Sequence, residues 1–326
     1  MKAVGLFSGG LDSALAIKLV QDQGIEVIAL NFVSPFCTCT GKGCSIVELA
    51  RKLKVPIKLM NKGPDYMKII RNPKHGYGKN INPCIDCKII MLKKAKEYAG
   101  KINAKFVFTG EVLGQRPMSQ QEQQLKLIES EAGLKGILLR PLSAKFLKPT
   151  VAENNKLVDR NKLLAIKGRT REEQIRLAKK YKIKDYASPG GGCLLTYREY
   201  AKKLKDLIEH KKKISRDDIK LLKVGRHFRY SDNKIIVGRN EEDNKELLKL
   251  KGKNELKFEV KDFVGPITLL QGKADKNMVE LAASLTARYS DADSDKVLVR
   301  YGKERFNKEI AVNKIKGKDV EKIRIK

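Results

Sequence analysis

Two sets of residues in this chain have the types and spacing to do chemistry. The first is Ser8-Gly9-Gly10-Leu11-Asp12-Ser13, a run of small residues around one carboxylate. If a helix starts here, its first amides point outward and its dipole favours an anion. Gly9 and Gly10 let the backbone approach a phosphate with no Cβ in the way. Ser8 and Ser13 add hydroxyl donors, and Asp12 supplies a carboxylate suited to a Mg²⁺ that accompanies a polyphosphate. The second set is made of thiols. Cys84-Ile-Asp86-Cys87 follows Asn82-Pro83, and Cys193 follows Gly190-Gly191-Gly192, a backbone able to fold closely around a ligand or metal. A helix beginning after Cys87 would lower the pKa of a thiol at its N-terminus.

Stepping along the chain shows what must position them. Lys2–Phe7 has the length and apolar character of a strand, and Leu11, Ala14, Leu15, Ile17 and Leu19 recur at helical spacing. The chain therefore opens as strand, glycine turn, helix. Further strands are expected at 25–30, 55–60, 104–109 and 136–139, with helices at 45–53, 88–98 and from Ser119 to about 131. Alternation of this kind implies an α/β fold, a doubly wound parallel sheet, with ligands beyond the carboxyl ends of the strands. That places Asn31 and Phe32, after the second strand, where they would meet an adenine or ribose. It also places Gly110, Glu111 and Gln115, after the fourth strand, on the same edge as Ser8–Ser13. From about residue 215 the pattern changes to an α+β module, with a strand pair across Ser231-Asp232-Asn233.

Charge narrows the partners. Lys and Arg number 69 against 38 Asp and Glu, a net +31, far beyond what a small metabolite requires. Nucleic acid is the leading expectation, because neutralising phosphates supplies most non-specific affinity. Six cysteines in 326 residues make no disulfide scaffold, so thiol, metal or redox chemistry is the better reading. No run of about eighteen apolar residues exists and no basic-plus-apolar leader is visible, which sets the expectation of a cytoplasmic protein with no membrane partner.

Ser-Gly-Gly-Leu-Asp-Ser directly after a strand resembles the PP-loop of ATP pyrophosphatases, which cleave ATP between the α- and β-phosphates and adenylate a substrate oxygen. Thr109-Gly-Glu111-x-x-Gly114-Gln115-x-x-x-Ser119-Gln120 resembles the second signature of tRNA 4-thiouridine synthetases. Cys84 after Asn82-Pro83, with a later Gly192-Cys193, resembles the paired cysteines of tRNA 2-thiouridylases. These resemblances cover roughly residues 1–196. They imply an ATP-dependent tRNA sulfurtransferase: ATP adenylates a uridine carbonyl oxygen, and a sulfur nucleophile displaces AMP. Ser8, Gly9, Gly10, Asp12 and Ser13 would hold pyrophosphate and Mg²⁺. Cys84, Cys87 and Cys193 would do the sulfur chemistry, either as ligands of a [4Fe–4S] cluster with one open iron, as in some thiouridylases, or as a persulfide relay. Sulfide or a cysteine desulfurase-type persulfide carrier would supply the sulfur. Asp86 is either a neighbour of such ligands or a helix N-cap.

Cys37-x-Cys39-x₄-Cys44 is a further thiol group. It offers three ligands with no histidine near in sequence, so free thiols are as good a reading as a zinc or relay site. Gly225-Arg226-His227-Phe228-Arg229, Gly238-Arg239-Asn240 and Leu298-Val-Arg300 resemble the NFACT-R domain, thought to bind RNA, and make Arg226, Arg229, Arg239 and Arg300 phosphate-contact candidates. The 4-thiouridine synthetases usually carry an N-terminal THUMP domain, but here the PP-loop begins at Ser8. The expected organisation is a PP-loop and sulfur-transfer domain at 1–196, a basic helical linker at 197–214 and the smaller α+β domain at 215–326. Rival readings are an adenylating ligase or amidotransferase, a sulfurtransferase acting on a metabolite, and a non-catalytic RNA-binding protein with a vestigial PP-loop.

Overall fold

A strand whose consecutive side chains are both apolar has to lie inside a sheet covered on both faces. β1 (Lys2–Leu6) is such a strand: Ala3 and Val4 point opposite ways, and both are buried. The computed structural model, which describes residues 1–38, 45–63, 65–187 and 192–325, makes β1 an inner strand of a four-stranded parallel sheet. The order is β3-β2-β1-β4, with β2 at Glu26–Val33, β3 at Ile57–Asn61 and β4 at Phe106–Thr109. Leu6 pairs with Leu30 of β2 and with Thr109 of β4, so the carboxyl ends of these three strands lie side by side.

Helices cover both faces. On one face Ala3, Phe7 and Ala29 share a core with residues of α1 (Leu11–Gln21), α2 (Ser45–Lys52) and, further along the chain, α7 (Glu172–Lys180). On the other, Val4, Leu30 and Phe32 pack with α4 (Cys84–Lys101) and α5 (Glu122–Glu131). Two short helices, α3 (Tyr66–Arg71) and α6 (Val151–Asn154), complete this unit, Met1–Thr196. The strand expected at 136–139 is reduced to a single bridge between Leu139 and Phe108, with Arg140-Pro141 leaving it at once. Proline lacks the amide that a continued ladder needs.

The second unit, Tyr197–Lys326, is built on a six-stranded antiparallel sheet of order β10-β9-β7-β8-β6-β5. Its strands are β5 (Arg226–Tyr230), β6 (Asn233–Val237), β7 (Leu256–Val260), β8 (Thr268–Gln271), β9 (Lys296–Gly302) and β10 (Lys308–Asn313). α11 (Lys276–Arg288) lays Met278, Val279, Ala282 and Leu285 on one face, against Phe228, Phe258, Val297 and Val299. Leu221 of α9 (Arg216–Leu221) and Leu247 and Leu250 of α10 (Glu241–Leu250) pack with Ile236 and Leu269 of the other. α12 (Gly317–Ile323) closes the chain.

The basic helix read from sequence as a linker is an integral part of this unit. α8 (Arg198–His210) buries Tyr200, Ala201, Leu204 and Leu207 along one stripe. It also buries Asp206, whose carboxylate accepts from Arg229 Nε at 2.7 Å, Arg229 Nη2 at 2.8 Å and Lys234 Nζ at 3.0 Å. Lys234 is 4% exposed, and Asp206 is its ion-pair partner. Removing one partner of a buried ion pair leaves an uncompensated charge and costs about 3–5 kcal/mol. Asp206→Ala is therefore expected to destabilise the second unit by about 3–5 kcal/mol in urea unfolding, whereas the exposed Lys205→Ala shifts the midpoint by less than about 0.5 kcal/mol. Equal effects from the two substitutions would show that Asp206 does not anchor α8.

Candidate functional site

The turn between β1 and α1 is braced by its own hydroxyls. Ser13 Oγ donates to Gly10 O at 2.8 Å and lies 3.2 Å from Ser8 Oγ; Gly10 N–H donates to Ser8 Oγ at 3.3 Å. Gly9 holds a φ of +76°, which suits a residue with no side chain. Gly10 occupies the N-cap of α1 without a side-chain cap, so the first amides of the helix are left for a ligand. A second segment runs alongside: Ala187 N–H donates to Gly9 O at 2.9 Å.

Gly110 sits against this turn. A Cβ added at Gly110 would lie 2.5 Å from Ser13 N and 2.6 Å from the carbonyl carbon of Asp12, so the end of β4 supports the turn backbone to backbone. Gln115 Nε2 donates to Asp12 Oδ2 at 3.2 Å. Among the described residues Asp12 Oδ1 is buried without a hydrogen-bond partner, and Arg171 Nη2 stands 3.9 Å away. Arg171 Nε is likewise buried without a partner. An orphaned carboxylate oxygen beside unused helix amides and a poised guanidinium is an arrangement suited to a metal-bound polyphosphate.

The remaining nucleotide candidates have structural partners. Asn31 Nδ2 donates to Phe7 O at 2.8 Å and ties β2 to β1 beneath the turn. Phe32 packs with Val4, Ile85 and Ile89 in the core rather than presenting a face to a base. Glu111 is buried and locked: Arg140 Nε donates to its Oε2 at 3.0 Å, Thr109 Oγ1 donates to the same oxygen at 3.1 Å, and Lys88 Nζ pairs with its Oε1. Arg140, itself 2% exposed, also pairs with Glu129.

Helix α4 carries the thiols. It starts at Cys84, earlier than expected from sequence, so Cys84 and Cys87 occupy its first turn, and Lys88 follows directly. The expectation that the helix end would make an acidic thiol is corrected at Cys84: burial pushes its pKa up, against the pull of Lys88 and Arg116. Burial also raises Cys193, to about 11, against Lys62. Lys62, just past β3, donates its Nζ to Cys87 Sγ at 3.1 Å and to Tyr66 Oη at 3.3 Å, and sits 4.4 Å from the Tyr66 ring centre. Burial alone would lower the Lys62 pKa, but Cys87, Cys193 and Cys37 hold it above its ordinary range.

Cys37, Cys84, Cys87 and Cys193 are all free thiols, and the first lies opposite Cys193. Cys39, Cys44 and the glycines Gly190 and Gly191 lie outside the described residues. Among the described residues no three His, Cys, Asp or Glu side chains converge on one metal ion. A [4Fe–4S] cluster instead takes its thiolates on separate irons, and a set of free cysteines drawn from a Cys-x-x-Cys helix end and a distant segment fits that donor chemistry. Asp86 is not an N-cap: it accepts from His75 N–H at 3.1 Å and pairs with His75 Nδ1 at 3.2 Å, pinning the loop before α4.

In the second unit each arginine proposed from sequence has an internal partner. Arg229 is held by Asp206, Arg239 by Asp243 (Nε to Oδ2, 2.5 Å) and Arg300 by Glu259 (Nη2 to Oε1, 2.6 Å). Arg226 donates to Gly238 O at 3.1 Å and stacks 4.6 Å from the Tyr289 ring centre. The side chains of Arg239 and Arg300 stay 47% and 41% exposed, while Arg229 is 17% exposed.

Sequence singles out Glu111 but not Lys62, Arg171 or the partners Lys88 and Arg140 that hold Glu111. Arg171 carried one signal, its place at the start of a helix. Lys62 carried none, being one lysine in a lysine-rich chain.

A glycine-braced anion turn at the carboxyl edge of a doubly wound parallel sheet defines a nucleotide-binding α/β unit of the PP-loop type. Residues 1–152 match the family model described as Thiamine biosynthesis protein (ThiI), and residues 225–324 match that of the NFACT protein RNA binding domain. The first unit thus carries a ThiI-family PP-loop domain, and the second an NFACT-R-type domain. Among curated relatives, the chain is 29% identical over 150 residues to a probable tRNA sulfurtransferase of Thermococcus kodakarensis, covering 43% of this chain and 36% of that protein. It is 28% identical over 225 residues to the tRNA-specific 2-thiouridylase MnmA of Caldicellulosiruptor saccharolyticus, covering 62% and 58%. The chain thus spans less than two thirds of either relative. A solved structure of the U34-tRNA thiolase NcsA from Methanococcus maripaludis with its [4Fe–4S] cluster aligns with 15% identity and a TM-score of 0.36, covering 68% of this chain and 69% of that one.

The locked glutamate gives a pH test. Burial alone would raise Glu111, but Lys88 and Arg140 outweigh it and hold its carboxyl down at about 2. A folded-state pKa below the unfolded one stabilises the protein above the unfolded value, and that contribution is lost as pH falls toward the folded value. The wild type is expected to lose stability between pH 4.5 and about 2, and Glu111→Gln, less stable at pH 7, is expected to show a flatter acid limb in that window. Superimposable acid profiles from urea unfolding would contradict the assignment.

Proposed function

We propose that this chain is an ATP-dependent tRNA thiouridylase. The observation that carries this reading is the Lys88–Glu111 ion pair. It joins the thiol-bearing end of α4 to the strand edge that supports the PP-loop, so nucleotide and sulfur chemistry share one site. A uridine carbonyl oxygen attacks the α-phosphate of ATP, and pyrophosphate leaves. A sulfur nucleophile then attacks the activated ring carbon, and AMP departs with the former carbonyl oxygen.

In this reading the amides and hydroxyls of Ser8, Gly9, Gly10 and Ser13 hold the phosphates. Asp12, oriented by Gln115, would hold Mg²⁺ through its orphaned oxygen, and the ion would neutralise charge on the departing pyrophosphate. Arg171 meets that same charge from the start of α7. Cys84, Cys87 and Cys193 would hold a [4Fe–4S] cluster, which would supply an open iron for hydrosulfide. Lys62 holds the Cys87 sulfur in place and offsets negative charge among the thiols. The sulfur comes from sulfide or a persulfide carrier.

The NFACT-R match supports RNA binding by the second unit, and the net charge of +31 supports RNA binding by the chain as a whole. Arg239 and Arg300 are the phosphate contacts we favour among the four arginines, since they keep exposed surface while paired. The enzyme then works where tRNA matures, in the cytoplasm. Among the described residues no helix is long and apolar enough to cross a membrane. An adenylating ligase that uses ammonia would leave the thiols beside Lys62 without a task.

Mass spectrometry of nucleosides from bulk tRNA tests the reading. A strain lacking the gene is expected to lose one thiolated uridine, restored by the wild-type gene and not by Cys193→Ala. An unchanged nucleoside profile in the deletion strain would overturn it.

A further inference from the structure

Cys37 entered as part of a thiol group with no clear task, yet the fold sets it directly across from Cys193. The chain leaving β2 turns at Ser34–Phe36 and meets Gly192–Leu194. Leu194 N–H donates to Phe36 O at 2.8 Å, and Thr38 N–H donates to Gly192 O at 3.4 Å. These two bonds bracket Cys37 and Cys193, which oppose each other as an antiparallel pair. A pair bracketed in this way, with no bond between its own two residues, is the close kind: Cα atoms lie about 4.5 Å apart, with side chains on the same face. A disulfide requires Cα atoms about 4.4–6.8 Å apart. The backbone therefore already has the spacing of a cross-strand disulfide. Both residues are free thiols of intermediate burial. Cys84 and Cys87, by contrast, lie three residues apart on one helical turn and have no such cross-strand partner among the described residues.

We propose that Cys37 and Cys193 form a reversible disulfide, a redox-sensitive modification site that withdraws Cys193 from sulfur chemistry. The oxidant is a low-molecular-weight disulfide such as oxidised glutathione. One protein thiolate attacks a glutathione sulfur, forming a mixed disulfide and releasing one glutathione thiolate. The second protein thiol loses its proton and attacks the protein-side sulfur, and the second glutathione thiolate leaves. Two protein thiols are oxidised and one glutathione disulfide is reduced; a dithiol reductant reverses both exchanges. The disulfide itself stands on strand geometry; its effect on sulfur chemistry rests on the thiouridylase reading.

The test uses the full-length protein, reduced and desalted under a chelator, then equilibrated in glutathione buffers of stepped oxidised-to-reduced ratio. Remaining thiols are blocked with N-ethylmaleimide, and the digest is mapped by mass spectrometry. The chain has six cysteines, and alkylation is expected to fall from six to four per chain over one transition. A peptide pair joining Cys37 to Cys193 should appear, and in Cys37→Ser, Cys193 should be found alkylated or as a glutathione adduct and never joined to another cysteine. In the wild type, Cys193 alkylated throughout, or joined to any cysteine other than Cys37, would overturn the proposal. The readout is a covalent link, so its failure leaves the thiouridylase reading to its own experiment.

Discussion

The close approach of Gly110 to the backbone of Asp12 and Ser13 is the constraint on which the site depends. Parallel pairing in register brings the end of β4 beside the end of β1, and the chain leaving β4 then runs under the turn that leaves β1. With 2.5–2.6 Å from a Cβ position to backbone atoms, only glycine leaves room for the turn where it stands. The sheet therefore sets the shape of the anion site directly. The hydroxyls of Ser8 and Ser13 brace the turn from within, and Gln115 fixes the carboxylate of Asp12 from the same loop that begins at Gly110.

A chain of buried charge extends that control to the thiols. Glu111 follows Gly110 and is held between Lys88 on α4 and Arg140 beyond the Leu139 bridge. Its low pKa means the charge persists at any physiological pH, so the link between strand edge and thiol helix is permanent. Lys62 supplies a second anchor from the end of β3, and His75 and Asp86 fix the loop that leads into α4. Each contact is modest alone. Together they hold a helix end, a strand end and Cys193 within reach of each other's charge. In the second unit buried acids do similar work, with Asp206 and Asp243 engaging arginines that a count of net charge would assign to RNA.

Local pattern made much of this visible in advance. Apolar runs of strand length placed β1 to β4 to within two or three residues; the inner strands β1 and β2 are buried on both faces, while the edge strand β3 is largely exposed. The Ser8–Ser13 turn and Gly110 were legible because small residues in that order have few other uses. α3 was missed because only Tyr66 and Ile70 face the core, too few to set a helical period. Place after a strand makes Asn31 and Phe32 nucleotide candidates; what it does not reveal is that Asn31 also ties β2 to β1 and Phe32 packs into the core. Lys62 and Arg171 were invisible because their roles arise from segments far apart in sequence. The pairing of Cys37 with Cys193 spans most of the first unit and leaves no trace in local spacing.

The central claim is that the PP-loop activates a uridine oxygen by adenylation. It is tested most directly by incubating the purified protein with α-labelled ATP and unmodified bulk tRNA and resolving the labelled nucleotides. The account predicts tRNA-dependent AMP with pyrophosphate from the wild type, and none from Gly110→Ala, whose new Cβ displaces the turn. ADP with inorganic phosphate, or AMP formed equally without tRNA, would contradict it.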